Sequence, residues 1–405
     1  VGYVKAVDGV TLEIRRGEIL GLVGESGCGK SSLGRCILQL SRATSGQVLY
    51  RDQDLVPMKK KQVRALRKDL QMICQDPYSS LDPRQTVGSA VGEGLLIHGL
   101  AKGKACQDRV EELFTMVGLD PTPEVVPGYL LEEARRELGV TPAAAAAAYS
   151  RFCRELLEGL RDVVPAVKVQ SACFDALGSS GVAAMQEVLG FARELGYYVL
   201  LDSMRGDVPG TAELCARAAF GTVEEAGPGY QPYPCDAVTI NGYLGGDSVK
   251  PFLPYCRDGG KSLFVLVKTS NRSSVEVQDL LTGGRLVHTA MADLVNRWGG
   301  ELYGACGYSQ VAAVVGAPYP ELLKSLRAKY DRMFFLVPGY GAQGGTAKNV
   351  QYAFDRFGHG AIVCAARSLL SAWKKTGGDG RDYVSCVRQA AEKMRKDLGK
   401  YIIVM

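Results

Sequence analysis

Eight short apolar runs, each ending in polar or glycine residues and each followed by a stretch of helical periodicity, constrain this chain more than any other feature. They lie at 116–120, Ala166–Gln170, 198–202, 237–241, 263–269, 311–316, 334–338 and Ala361–Ala365. A short continuous apolar run is the signature of a strand buried on both faces, and parallel strands of that kind are joined by crossover helices. Eight such units in series predict a closed (β/α)8 barrel over residues 117–405. An open, doubly wound parallel sheet would give the same alternation, and counting strands leaves that alternative open. The alanine-rich tract 143–148 reads as a helix of high intrinsic propensity that carries no chemistry.

Residues 1–116 have a different character and are predicted to form a separate domain. Val10-Thr11-Leu12-Glu13-Ile14 alternates apolar and polar side chains, and Ile19-Leu20-Gly21-Leu22-Val23 is apolar throughout, so both are predicted strands. Helices are predicted over 31–40 and 100–116, and the basic stretch 59–68 reads as a solvated helix face. The chain opens at Val1 inside a strand-like pattern, as a fragment would. Between the second strand and the first helix stands Gly24-Glu25-Ser26-Gly27-Cys28-Gly29-Lys30-Ser31, which fits GxxxxGK[ST] in the context that gives the motif meaning. Its glycines allow backbone N–H groups to turn inward around phosphate. Lys30 supplies a cation, and Ser31 offers a hydroxyl to Mg²⁺. Gly24, Ser26, Gly27, Gly29, Lys30, Ser31 and Ser32 are therefore the candidate ATP contacts.

Composition narrows the function. A chain of 405 residues with 46% hydrophobic and 22% charged residues can bury a sizeable core, and its length suggests two domains, or one large barrel plus an appendage. The net charge of +5 suits phosphorylated small molecules, and no basic block with interleaved aromatics marks a nucleic-acid binder. The 12 cysteines form no CxxC pair and there are three histidines, so no zinc site is expected and a reducing cytoplasm is the natural setting. No apolar run approaches the roughly 20 residues of a membrane span.

The phosphate loop and the segment Gln71-Met72-Ile73-Cys74-Gln75-Asp76-Pro77-Tyr78 resemble the ATPase subunit of oligopeptide and dipeptide ABC transporters, from about Tyr3 to Leu119. The resemblance implies that Gln75 contacts Mg²⁺ and the attacking water, and that Tyr3 stacks on adenine. The pattern departs from that family further on. No LSGGQ signature, no apolar strand ending in Asp-Glu and no switch histidine follow. Phosphoryl transfer depends on positioned charge, so this truncated P-loop subdomain is expected to bind ATP and Mg²⁺ weakly at best and not to turn ATP over. It would serve a transporter permease only if it were complete.

The barrel region resembles orotidine 5′-phosphate decarboxylases of the bacterial long subgroup. The motifs are Val117-Gly118-Leu119-Asp120-Pro121, Lys168, Asp202-Ser203-Met204-Arg205-Gly206-Asp207 with Thr211, Thr269-Ser270-Asn271, Pro338 to Gly345, and Arg367. They fall at strand ends, where barrel enzymes build their sites. The resemblance implies decarboxylation of orotidine 5′-phosphate to UMP with no metal and no cofactor. It implies an alternating charge network of Lys168, Asp202, residue 204 and Asp207. Asp120 would bind the ribose and Ser270 the pyrimidine, with Pro338, Gln343, Gly344 and Arg367 around the phosphate. Asp207 and Thr211 would reach a neighbouring subunit, which implies a homodimer. One departure stands out: Met204 occupies the place of the family's proton-donating lysine, and methionine has neither proton nor charge to offer. The alternatives are a non-catalytic nucleotide-binding barrel and a truncated transporter ATPase. The two resemblances meet within 117–121, as they would in a chimeric fusion.

Overall fold

The computed structural model describes residues 6–15, 18, 20–25, 28–67, 69–70, 72, 114–304, 306–356 and 358–402. The chain divides into two compact units, which among the described residues run up to residue 72 and from residue 114.

In the first unit, helices run over Lys30–Ile37 and Lys60–Leu66, and a small antiparallel hairpin pairs Leu49–Tyr50 with Gln53–Asp54. The two strands predicted before the phosphate loop are not formed among the described residues. Leu12, Ile14, Leu20 and Leu22 are exposed and Val23 is 95% exposed. A strand apolar on both faces holds only when neighbours pair its edges and cover its faces. The described part of this unit supplies no sheet beyond the hairpin. The helix expected over 100–116 falls outside the described residues up to 113, and its last two positions open the first barrel strand.

In the second unit eight parallel strands close on themselves: β1 (Thr115–Leu119), β2 (Ala166–Gln170), β3 (Tyr198–Arg205), β4 (Ala237–Ile240), β5 (Ser262–Lys268), β6 (Val311–Val315), β7 (Phe335–Pro338) and β8 (Ala361–Ala365). Each pairs with the next in sequence, and β8 returns to β1 through Val363 opposite Thr115 and Cys364 opposite Met116. The closed barrel is therefore realised, and the open sheet is not.

Strand parity sorts the core into two shells. Met116, Ala166, Leu200, Ala237, Phe264, Ala312, Val314, Leu336 and Cys364 pack inside the barrel. Their sequence neighbours Val117, Val167, Val199, Val238, Val265, Val315, Val337 and Val363 pack outward against the helices. Helix Pro142–Leu160 shows how the outer layer is specified. Thr141 caps it by accepting the Ala144 N–H at 3.2 Å, proline takes its first position, and the alanine tract lets it lie close to its neighbours. Phe152 of this helix stacks on Tyr383 with ring centroids 5.0 Å apart, which ties the last long helix, Tyr383–Gly399, to the first half of the barrel.

Candidate active site

Parity along β2 and β3 decides what reaches the barrel mouth. Ala166 and Leu200 point inward, so Lys168, Gln170 and Asp202 do too, and Gly118 and Asp120 continue the inward face of β1. The Lys168 Nζ lies 2.7 Å from Asp202 Oδ2 and 3.1 Å from Asp120 Oδ1. Asp202 is buried and accepts two further hydrogen bonds, from Thr239 Oγ1 at 2.6 Å and Gln170 Nε2 at 3.2 Å. A buried charge is tolerated only when it is paired and hydrogen-bonded, and this carboxylate is. Burial pushes the Lys168 ammonium down, but Asp202 and then Asp120 more than offset it, leaving its pKa above the ordinary lysine value. The site therefore holds a protonated lysine between two carboxylates.

Beyond Asp202, β3 departs from regular pairing. Leu201 sits opposite Val238, while Arg205 sits opposite Ile240, so β3 carries two extra residues across this stretch. Met204 absorbs the bulge at φ +48°, a left-handed conformation uncommon for a residue with a side chain. Its N–H donates to Thr239 Oγ1 at 3.0 Å. The Thr239 hydroxyl, accepting there, turns its own proton to Asp202. Met204 is 44% exposed. Ser203 and Arg205 share the opposite face and line a cavity with Leu201, Val238 and Ile240, so Arg205 does not stand in for a lysine at position 204.

Within one chain, the residues of the expected network that meet are Lys168 and Asp202, and Asp207 is the one expected to serve a neighbouring subunit. Asp120 supplies the second carboxylate on Lys168. Within its own chain Asp207 accepts the Val208 N–H at 2.8 Å, and its carbonyl accepts the Ser248 hydroxyl at 2.8 Å. The bulge and the helix beginning at Pro209 carry Asp207 along the rim, with Thr211 exposed one turn further on.

Across the mouth, β7 runs into a loop that reverses through Gly339, Gly341 and Gly344 at φ +100°, +78° and +87°. The loop closes by Gly341 N–H to Gly345 O at 2.8 Å and Gly344 N–H to Gly341 O at 3.0 Å. Pro338 ends the strand half-buried, whereas Gln343, Gly344 and Arg367 are exposed. A Cβ on Gly339 would fall 2.8 Å from Gln343 Oε1 and 3.3 Å from Ser270 Cβ, so Ser270 and Gln343 converge on this glycine. A Cβ on Gly118 would fall 2.7 Å from Ala366 Cβ and 3.4 Å from Asp120 Oδ1, which sets Asp120 beside the start of the Arg367 turn. The mouth thus offers a charged, buried end at β2 and β3 and an open, glycine-lined end at β7 and β8.

Two polar residues at this mouth were not singled out from the sequence: half-buried Gln170 and buried Lys268. Parity was the available signal, because each falls on the inward face of its strand two residues or more past an inward apolar side chain.

In the first unit, the loop before helix Lys30–Ile37 keeps Gly29 at φ +96°, where a Cβ would fall 2.3 Å from the Ala6 carbonyl oxygen. The Lys30 ammonium is turned back onto the loop, donating to Gly24 O at 2.5 Å and Glu25 O at 2.6 Å. Ser31 is exposed and Ser32 half-buried in the first helical turn. Tyr3, Ser26, Gly27 and Gln75 lie outside the described residues.

Residues 7–133 match the ABC transporter family, and residues 116–376 match the orotidine 5′-phosphate decarboxylase / HUMPS family. The orotidine 5′-phosphate decarboxylase of Rhodopirellula baltica is 38% identical over 291 residues, covering 70% of this chain and 93% of the relative. The Leishmania donovani UMP synthase structure superposes with a TM-score of 0.56 at 30% identity, covering 73% of this chain and 55% of that one. The Leishmania donovani OMP decarboxylase structure gives a TM-score of 0.52 at 29% identity, covering 71% of this chain and 96% of that one. Through its barrel, this chain belongs to the orotidine 5′-phosphate decarboxylase / HUMPS family.

Proposed function

We propose that the barrel decarboxylates orotidine 5′-phosphate to UMP without metal or cofactor. The observation that carries this reading is the Lys168 ammonium held between Asp202 and Asp120 on the inward rim of a closed barrel. When the bond from the pyrimidine ring to the carboxylate breaks, CO2 leaves and the electron pair stays on the ring carbon. A preorganised cation stabilises charge that appears only then, and costs no reorganisation at that moment. With no donor at position 204, the proton that closes the cycle on the ring carbon comes slowly, from Lys168 or from water, and bulk water restores it. Asp202 lies beside the departing carboxylate and keeps Lys168 charged. Asp120 takes the ribose hydroxyls and Ser270 the pyrimidine. Gln343, Gly344, Pro338 and Arg367 take the phosphate, with the guanidinium as its charged clamp.

Met204 supports a second reading, a barrel that binds the nucleotide but turns it over poorly. Its exposed side chain stands in the bulge next to Asp202 and offers no charge to the carbanion. A second copy of the chain is the further partner we infer. Asp207 and Thr211 stand on a rim where Val208 and Leu214 are 57% and 58% exposed, apolar surface that a neighbouring subunit would cover. The first unit keeps Lys30 and the loop glycines, which supports weak binding of ATP and Mg²⁺ and no hydrolysis.

Loss of orotidine 5′-phosphate followed by ultraviolet absorbance tests the activity, and calorimetric titration with UMP and with uridine tests the site. Turnover abolished by Lys168→Ala is the expected result. Equal affinity for uridine and UMP would remove the phosphate assignment, and UMP binding without turnover would select the second reading.

A further inference from the structure

Among the described residues Lys268 is a second buried cation of the barrel mouth, and the proposed chemistry does not use it. It ends β5 on the inward face, two residues past Leu266, and is 2% exposed. Its ammonium is committed sideways: Nζ lies 2.6 Å from Asp279 Oδ1 and 4.8 Å above the Tyr319 ring. The next residue repeats the same connection. The Thr269 N–H donates to Gln278 Oε1 at 2.9 Å, and Gln278 Nε2 donates to Thr269 Oγ1 at 2.8 Å. Two adjacent residues at the strand end are thus pinned to two adjacent residues, Gln278 and Asp279, at the far end of the same loop.

The loop so closed is the one that carries Ser270. Inside it, the Thr269 hydroxyl donates to Asn271 Oδ1 at 2.6 Å, and Ser274 Oγ and Tyr319 OH are hydrogen-bonded at 3.2 Å. Lys268 O accepts the Gly316 N–H at 2.8 Å, and a Cβ on Gly316 would fall 3.0 Å from Ser270 Cα. Ser270 is therefore seated against the end of β6 by contacts that the Lys268 and Thr269 clamp keeps closed. An ion pair between buried Lys268 and half-exposed Asp279 contributes little net stability. It does fix one geometry, and a bound ligand responds to a hydrogen-bonding group displaced by about 1 Å.

We infer that Lys268, through Asp279, is a positioning residue that sets Ser270 against the pyrimidine and so governs base recognition without touching the nucleotide. This rests on the assignment of Ser270 to the base given above. The clamp acts on the base end of the ligand, while Gln343 and Arg367 hold the phosphate end. The two ends can therefore be separated by comparing UMP with ribose 5-phosphate.

The experiment is calorimetric titration of the 405-residue chain, and of its Lys268→Met, Lys268→Arg and Gln278→Ala variants, with UMP and with ribose 5-phosphate. Lys268→Met should weaken UMP about tenfold, the scale of one hydrogen bond lost or misplaced, and leave ribose 5-phosphate within about twofold. Lys268→Arg should restore most of the UMP affinity, and half-buried Gln278→Ala should reproduce the selective loss if Lys268→Met does not fold. Equal weakening of both ligands, or no change in either, overturns the inference. A parent that binds neither ligand instead removes the site assignment itself, a result distinct from failure of the clamp.

Discussion

Two glycine-rich loops proposed to hold phosphate occur in this chain, and they differ in what stands beneath them. The loop at Gly339–Gly345 leaves β7, whose Phe335, Leu336 and Val337 are buried and whose edges pair with β6 and β8. Its glycines are held by hydrogen bonds within the loop, and Gln343 stays exposed at the barrel mouth. The loop at Gly24–Ser31 follows Leu20, Leu22 and Val23, which are exposed and belong to no described strand. There Lys30 spends its donors on the loop's own carbonyls. A phosphate loop binds by aiming backbone N–H groups and one or two cations, and the aim is only as good as the sheet that fixes it. Motif and scaffold are separate requirements, and among the described residues they coincide at the loop after β7.

Restoring a lost chemical group should be enough where the scaffold is complete, which gives the largest expected effect. Met204→Lys is expected to raise orotidine 5′-phosphate turnover by roughly 10²–10⁴-fold, the range for a positioned proton donor. UMP affinity should change little, since the phosphate end is untouched. Brisk turnover by the parent, unaffected by Met204→Lys and abolished by Lys168→Ala, would break the comparison at its first step by showing that Lys168 alone suffices. Next in size is Arg367→Ala, expected to weaken UMP by about ten- to a hundredfold with uridine unaffected, as befits loss of a charged phosphate contact. Calorimetry reads both ligands, and an unchanged ratio would place phosphate elsewhere.

A smaller effect concerns the rigidity of the barrel rim. Burial pushes His288 below the ordinary histidine pKa, with Asp279 opposing and Lys268 adding to the shift. The unfolded chain therefore takes up this proton first, at a pH near 6.5. The stabilisation is present above that pH and lost as pH falls towards the lower folded value. Thermal melts between pH 7.5 and 5 should show His288→Gln flattening the acid-side decline in Tm by a few degrees at most. A steeper decline in the variant would reverse the assigned sign. The smallest expectation is a null: Lys30→Ala should leave ATP turnover at background, as in the parent. Lys30-dependent hydrolysis would show that the first loop needs less scaffold than the second.

Much of the barrel was legible in the sequence because it is written in local pattern. The runs at Ala166–Gln170 and Ala361–Ala365 coincide with strands β2 and β8, and the other six differ from theirs by a few end residues. The same reading failed at 10–14 and 19–23, where the pattern is equally clear but no described strand pairs with it. Apolar continuity records what a segment needs from its neighbours, not whether the neighbours are there.

The sequence by itself determined the eight βα units and the strand period that puts Lys168 and Ala166 on one face. It also determined the glycine loop after β7 and the absence of a charge at position 204. Those are properties of consecutive residues, fixed by a two-residue period and by side-chain chemistry. Only the tertiary structure decided which side chains meet across strands. It placed Asp120 on Lys168, left Asp207 on the rim, and closed Thr239 and Gln170 around Asp202. It also locked Lys268 to Asp279 beneath Ser270. Parity fixes the face a residue looks from. Register, barrel closure and the two-residue bulge at Met204 fix what it looks at, and none of these is local in sequence.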